Sequence, residues 1–128
     1  MPGLNSSPAV KPSILVVDDE PDALGALEIL LELRGYAVIT ATDGADALKA
    51  ALLRKPQVII TDITMPTMSG VELCTQLKSN PATADSPIIV CSGVRRLPPE
   101  LDKLIDRFLQ KPIDFDELDR VIQECLPS

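Results

Sequence analysis

Ser13-Ile14-Leu15-Val16-Val17-Asp18 is the stretch on which the reading of this chain turns. Four apolar residues, two of them valine, run without alternation and end in a carboxylate. A strand with one wet face alternates polar and apolar residues, whereas a parallel strand covered on both faces reads as a continuous apolar run. The signature returns at Gln57-Val58-Ile59-Ile60-Thr61-Asp62 and at Pro87-Ile88-Ile89-Val90-Cys91-Ser92. Residues 36–40 and the short 107–110 supply two further strand signals.

Helical patterns lie between these runs. Pro21 suits the first position of a helix, Leu24, Leu27 and Leu31 then share a face, and Gly35 stops it. Leu48, Ala51 and Leu52 mark a second helix that ends before Pro56. Ser69 followed by Glu72 is a capping box opening a third helix through Lys78, and the polar residues 79–86 read as a loop. Asp114 with Glu117 caps a last helix, about 18 Å from Asp114 to Cys125, on which Phe115, Leu118, Ile122 and Cys125 share a stripe. Strand and helix alternating five times predicts an open, doubly wound parallel sheet with helices on both faces. Residues 1–12, rich in Pro, Ser, Gly and Asn, read as a flexible leader, and residues 13–126 as one domain.

Composition narrows the chemistry. The chain has 128 residues and a net charge of -7, which argues against nucleic-acid or membrane-surface binding. No apolar run approaches the roughly 18 residues of a spanning helix, and no signal pattern opens the chain, so a cytoplasmic location is expected. Histidine is absent, which removes Ser-His-Asp and Cys-His catalysis and most zinc sites. Cys74, Cys91 and Cys125 are odd in number and widely spaced, as reduced thiols are. Carboxylates, hydroxyls and lysines remain.

In open α/β sheets ligands bind outside the carboxyl ends of the strands, where the strand order reverses. The first strand runs into Asp18-Asp19-Glu20, the third ends in Asp62, the fourth in Ser92, and the fifth meets Lys111-Pro112. Read singly, each has a plain alternative: Asp18 and Asp19 as helix caps, Asp62 and Ser92 as turn formers, Lys111 as a solvated lysine. Together they converge on one edge. Two carboxylates about 4 to 5 Å apart repel by roughly 3 to 4 kcal/mol at an effective dielectric near 20, so a cluster of them calls for a cation. Lys111 offsets one charge, and oxygen ligands favour a hard ion, Mg²⁺ with Mn²⁺ able to substitute. A carboxylate, a hydroxyl, a lysine and such an ion suit phosphoryl transfer onto oxygen.

These residues resemble the receiver domain of two-component response regulators. Asp18-Asp19-Glu20 is similar to that family's acidic pair, and Asp62-Ile63-Thr64-Met65-Pro66-Thr67-Met68-Ser69-Gly70 to its phosphoacceptor stretch. Ser92-Gly93 matches its switch hydroxyl and small residue, and Lys111-Pro112 its terminal Lys-Pro. The resemblance implies a flavodoxin-like sheet of order 2-1-3-4-5 and a signalling switch rather than a metabolic enzyme. Asp62 becomes the nucleophile, phosphorylated from a histidine kinase or histidine phosphotransfer protein and self-catalysing little beyond its own phosphorylation and dephosphorylation. Asp19, Asp62 and the Thr64 backbone carbonyl are implied to hold Mg²⁺, with Asp18 acting through water. Lys111 and Ser92 are implied to contact phosphoryl oxygens, Phe108 to be the aromatic switch residue, and the Lys111–Pro112 bond to be cis.

The chain departs from the family between Ser92 and Lys111, where it is short and holds Leu97-Pro98-Pro99. The prolines forbid a helix running straight from Gly93, so a short fourth helix is expected near Pro98 or Pro99. Ile105-Asp106 replaces the small pair that usually precedes the fifth strand. A separate downstream effector is expected, with Arg95, Arg96 and Leu97 either a partner surface or a solvated segment. The oligomeric expectation is a monomer or a weak, phosphorylation-dependent dimer. Three alternatives stay open: a phosphorylation-independent binding module, a fragment of a larger regulator or hybrid kinase, and a Mg²⁺-dependent hydrolase of the haloacid-dehalogenase type.

Overall fold

A computed structural model describes residues 10–65 and 68–127. Residues 1–9 of the expected leader, and Pro66 and Thr67 of the Asp62 stretch, lie outside them. Strands β1 (Ser13–Val17), β2 (Ala37–Ala41), β3 (Val58–Thr61), β4 (Ile88–Ser92) and β5 (Arg107–Gln110) alternate with helices α1 (Pro21–Leu33), α2 (Gly44–Arg54), α3 (Gly70–Ser79), α4 (Pro99–Asp102) and α5 (Phe115–Cys125). All four strand pairings are parallel, and the sheet order is β2-β1-β3-β4-β5. The order reverses between β1 and β3.

The continuous apolar runs are explained by two cores. Ile14, Val16, Val58, Ile60, Ile89 and Cys91 pack under Leu24 and Leu31 of α1 and Leu118, Val121 and Ile122 of α5. Leu15, Val17, Ile59, Ile88 and Val90 point the other way, against Ala47, Ala51, Leu73, Leu77 and Leu101 of α2, α3 and α4. Successive strand residues therefore serve opposite layers, and neither side of the central strands meets water. Cys74 belongs to the second layer and Cys91 to the first; both thiols are free, and burial pushes each up to about 12. Cys125, at the end of α5, is half-buried.

Caps form where the sequence signals them: Ser69 Oγ accepts from Glu72 N at 3.2 Å, and Asp114 Oδ1 from Glu117 N at 3.1 Å. Asp43 caps α2 in the same way, accepting from Asp46 N at 2.8 Å. The α2 helix ends before Pro56 as expected, and its inward face is made of small residues. Gly44, Ala47 and Ala51 face the sheet, whereas Leu52 is 36% exposed. Each residue turns the helix by about 100°, so Leu48 and Leu52 lie on the flank of the small-residue face that lets α2 sit close to the sheet. β2 starts one residue later than its sequence signal, leaving Tyr36 outside the strand.

Tyr36 instead joins a polar clasp between α1 and α5. Its hydroxyl donates to Asp119 Oδ1 at 2.5 Å, and Arg34 reaches Asp119 Oδ2 at 2.6 Å and Asp116 Oδ1 at 2.8 Å. The same guanidinium sits 4.8 Å from the centre of the Phe115 ring. Burial acts to raise the Asp119 pKa, but the hydrogen bonds from Tyr36 and Arg34 outweigh it and hold the carboxyl below its ordinary value. Burial and the bond to Asp119 push Tyr36 up to about 12. The clasp should therefore stabilise the fold fully above the ordinary aspartate range and lose that contribution as pH falls through the lowered Asp119 value. At the alkaline end its contribution is complete below the ordinary tyrosine value of 10.0 and fades as pH rises toward about 12. Denaturant midpoints measured against pH should show both limbs. Tyr36→Phe should flatten the alkaline one and cost about 1–2 kcal/mol at neutral pH; an alkaline limb that survives the substitution would place its origin elsewhere.

Candidate functional site

The site lies at the reversal of strand order, and its residues follow the strands by one position. Asp18 N donates to Ala41 O and Asp62 N to Val17 O, both at 3.2 Å, while Lys111 N donates to Ser92 O at 2.8 Å. The ladders β1–β2, β1–β3 and β4–β5 are thus carried one residue beyond the strands, fixing the backbones from which the acidic and basic side chains project. The Lys111–Pro112 peptide is cis.

Three carboxylates converge there. Asp18, Asp19 and Asp62 each present an oxygen within 4.8 Å of the others. Lys111 Nζ donates to Asp62 Oδ2 at 2.9 Å and to Asp18 Oδ2 at 3.3 Å. Its partners' side chains are only 18% and 14% exposed, and Lys111 itself is 33% exposed. Partial burial acts to lower the Lys111 pKa, but the bond to Asp62 and the charges of Asp62 and Asp18 outweigh it, and the net shift is upward. The other Asp62 oxygen, Oδ1, accepts from Ile63 N at 2.7 Å. Asp18 Oδ1 accepts from Glu20 N at 3.0 Å, so Asp18 forms a local turn while Glu20 takes the N-cap position of α1. Asp18 and Asp19 are therefore not the helix caps of the plain alternative.

Ser92 ends β4 and is buried, its Oγ accepting from Val94 N at 3.4 Å. Among the described residues, its hydroxyl makes no bond to the carboxylates. Thr64 is exposed two residues beyond Asp62. Phe108 stands apart from the acidic cluster: it pairs with Val90 in the β4–β5 register and packs half-buried on the α4 side. Asp106 takes a structural role, its Oδ2 accepting from Ile88 N at 2.8 Å at the start of β4.

Two glycines set the position of the Asp62 loop. A Cβ on Gly70 would lie 2.7 Å from both Asp62 O and Ile63 Cα, and one on Gly44 would lie 2.5 Å from Met68 Cβ. The loop is held from both ends: Gly70 N donates to Ile63 O at 2.6 Å, and Met68 rests on the first residue of α2. Nothing in the sequence around Gly44 signals this contact. Because backbone atoms stand in the way at Gly70, Gly70→Ala should cost about 1–3 kcal/mol in urea denaturation. An unchanged midpoint would show that the loop yields without penalty.

Three carboxylates of this spacing, a lysine bonded to two of them, and a strand-end hydroxyl on β4 stand at the carboxyl edge of a doubly wound α/β sheet, the edge where domains of this class bind ligands. The family description "Response regulator receiver domain" matches residues 14–123. The chain is 41% identical over 107 residues to the transcriptional regulatory protein KdpE of Mycobacterium tuberculosis, covering 81% of this chain and 46% of that protein. It is 35% identical over 118 residues to protein PilG of Pseudomonas aeruginosa, covering 90% of this chain and 87% of that one. The chemotaxis response regulator CheY4 of Vibrio cholerae superposes with a TM-score of 0.81 at 28% identity, over 91% of this chain and 100% of CheY4. The chain belongs to the response regulator receiver family and is a receiver domain of two-component signalling. It spans about half the length of KdpE and of related transcriptional regulators. The haloacid-dehalogenase alternative is set aside by this membership.

Proposed function

We propose that Asp62 accepts a phosphoryl group from a phosphohistidine on a partner histidine kinase or phosphotransfer protein. The observation that carries the reading is the bonding of Lys111 to Asp62 at 2.9 Å inside a cluster of three carboxylates within 4.8 Å of one another. An Asp62 oxygen attacks phosphorus, the P–N bond to the donor imidazole breaks, and the nitrogen leaves with the bonding pair. The product is an acyl phosphate on Asp62, which water later hydrolyses. A carboxylate nucleophile needs no general base, so the absence of histidine is no obstacle.

The residues present fit a hard divalent ion, because the cluster offers only oxygen. Asp19, Asp62 and the Thr64 carbonyl would hold Mg²⁺, or Mn²⁺ in its place, with Asp18 acting through a water molecule. When bound, the ion neutralises charge shared between nucleophile and phosphoryl oxygens. Lys111 holds a phosphoryl oxygen from the other side, and the Ser92 hydroxyl turns to donate to another. That movement reaches Phe108 and α4, and so changes a face read by an effector. The setting is cytoplasmic, and the domain works as a monomer or as a weak dimer formed on phosphorylation. Among the described residues no helix is long and apolar enough to cross a membrane.

The test is incubation with Mg²⁺ and acetyl phosphate followed by intact-mass measurement. One added phosphoryl group, lost with EDTA, is the expected result. Beryllofluoride, as a stable mimic, should give a conformational response even where the adduct is short-lived. Silence in both would leave a phosphorylation-independent binding module as the better account.

A further inference from the structure

We infer that Thr61, the last residue of β3, is a positioning residue for the carboxylate of Asp62; the inference rests on the reading of Asp62 as the phosphoryl acceptor. Thr61 closes the run Val58-Ile59-Ile60-Thr61 and is 0% exposed, on the face of the sheet that Ile59 turns toward α2, α3 and α4. A valine would fill that place with nearly the same shape, and a buried hydroxyl is costly unless it is bonded. The Thr61 hydroxyl is bonded: Oγ1 donates to Asp62 O at 2.9 Å. Its single proton goes there, since the other acceptor near it, Met65 Sδ, stands at 3.9 Å.

That carbonyl is one end of the peptide group between Asp62 and Ile63. The other end, Ile63 N–H, donates to Asp62 Oδ1 at 2.7 Å. One planar peptide is therefore held at both ends, by the Thr61 hydroxyl and by the nucleophile's own carboxylate. Rotation of the plane would carry the N–H away from Oδ1 and free the carboxylate to turn about its side-chain bonds. As it stands, Ile63 N–H fixes Oδ1 and Lys111 Nζ fixes Oδ2 at 2.9 Å, so Thr61 reaches the reacting group through a single peptide. The next carbonyl is held as well, with Gly70 N donating to Ile63 O at 2.6 Å. A carboxylate that swings attacks phosphorus less often from the aligned position, and misplacement by about 1 Å can cost about 10²-fold in rate.

Two substitutions separate the hydroxyl from the shape. Thr61→Val keeps the branched side chain and loses the donor; Thr61→Ser keeps the donor and loses the methyl group. Phosphoryl uptake from acetyl phosphate at saturating Mg²⁺ should slow about tenfold in Thr61→Val and stay within about twofold of the parent in Thr61→Ser. Urea midpoints should fall in both, because one leaves a carbonyl unpaired and the other leaves a gap, so stability alone does not produce this pattern. In ¹H–¹⁵N spectra of the metal-free, unphosphorylated protein, the Ile63 amide should move upfield in Thr61→Val and keep its place in Thr61→Ser. An unchanged rate in Thr61→Val, an equal loss in Thr61→Ser, or an Ile63 amide that does not move in Thr61→Val would each overturn the inference. A parent protein that takes up no phosphoryl group would overturn the reading of Asp62 instead, and the Ile63 amide, which needs no phosphoryl donor, would still decide for or against the held peptide.

Discussion

Asp62→Asn is expected to gain no phosphoryl group from acetyl phosphate or from a phosphohistidine donor, while keeping its fold. The amide has the shape of the carboxylate but no anionic oxygen with which to attack phosphorus. The fold should be spared because the electrostatic changes nearly cancel. Neutralising Asp62 removes one attraction, to Lys111 at 2.9 Å, and two repulsions, from Asp18 and Asp19 across no more than 4.8 Å. At an effective dielectric near 20 these differ by about 1 kcal/mol, so stability should stay within about that margin of the parent. The amide has one oxygen where the carboxylate has two, so it keeps either the bond from Lys111 or that from the Ile63 N–H, and its nitrogen faces the other donor. Intact mass reads the first expectation and urea denaturation the second. Phosphoryl uptake by this variant would move the nucleophile to another carboxylate.

Removing the cation should separate binding from chemistry. In Lys111→Ala the carboxylates lose their shared partner, which bonds Asp62 and Asp18 at once. The cluster becomes more negative, so Mg²⁺ should bind more tightly than to the parent. Phosphoryl transfer should nevertheless slow by about 10²–10³, because a preorganised donor aimed at the transferring group is gone. A metal titration and a rate of acetyl phosphate uptake, measured on the same sample, read the two effects. If affinity and rate fell together, Lys111 would be supporting the metal site rather than the transfer. Lys111→Arg should recover part of the charge but not the geometry, since a forked guanidinium replaces a point ammonium.

Much of the fold was legible because the signals were local. Continuous apolar runs announced buried parallel strands, and Ser69 and Asp114 announced helix starts that the hydrogen bonds bear out. Pro98 and Pro99 announced the one-turn α4. The meeting of Asp18, Asp62 and Lys111 is legible because side chains at the strand ends of such a sheet converge on one edge, where the apolar runs stop. What escaped was long-range or depended on close approach. The Arg34–Asp119 and Tyr36–Asp119 bonds link residues more than eighty positions apart, and no local pattern marks a buried aspartate in the middle of α5. Leu48, Ala51 and Leu52 mark the existence of α2 but not its inward face, because leucine outweighs alanine in any hydropathy reading, whereas a helix lying close to a sheet turns its smallest residues inward. Gly44 looked like an ordinary residue after a cap, and only the position of Met68 shows why a side chain does not fit there.

The two buried cysteines give the domain a pair of built-in clocks. Cys74 lies under one helical layer and Cys91 under the other, on opposite sides of the sheet. A thiol reagent reaches each only when its own layer opens, so labelling rates would time the opening of the two faces separately within one unmodified molecule. Half-buried Cys125 would react first and serve as the internal standard. Followed with and without beryllofluoride, the pair would show which side of the sheet the acidic site tightens.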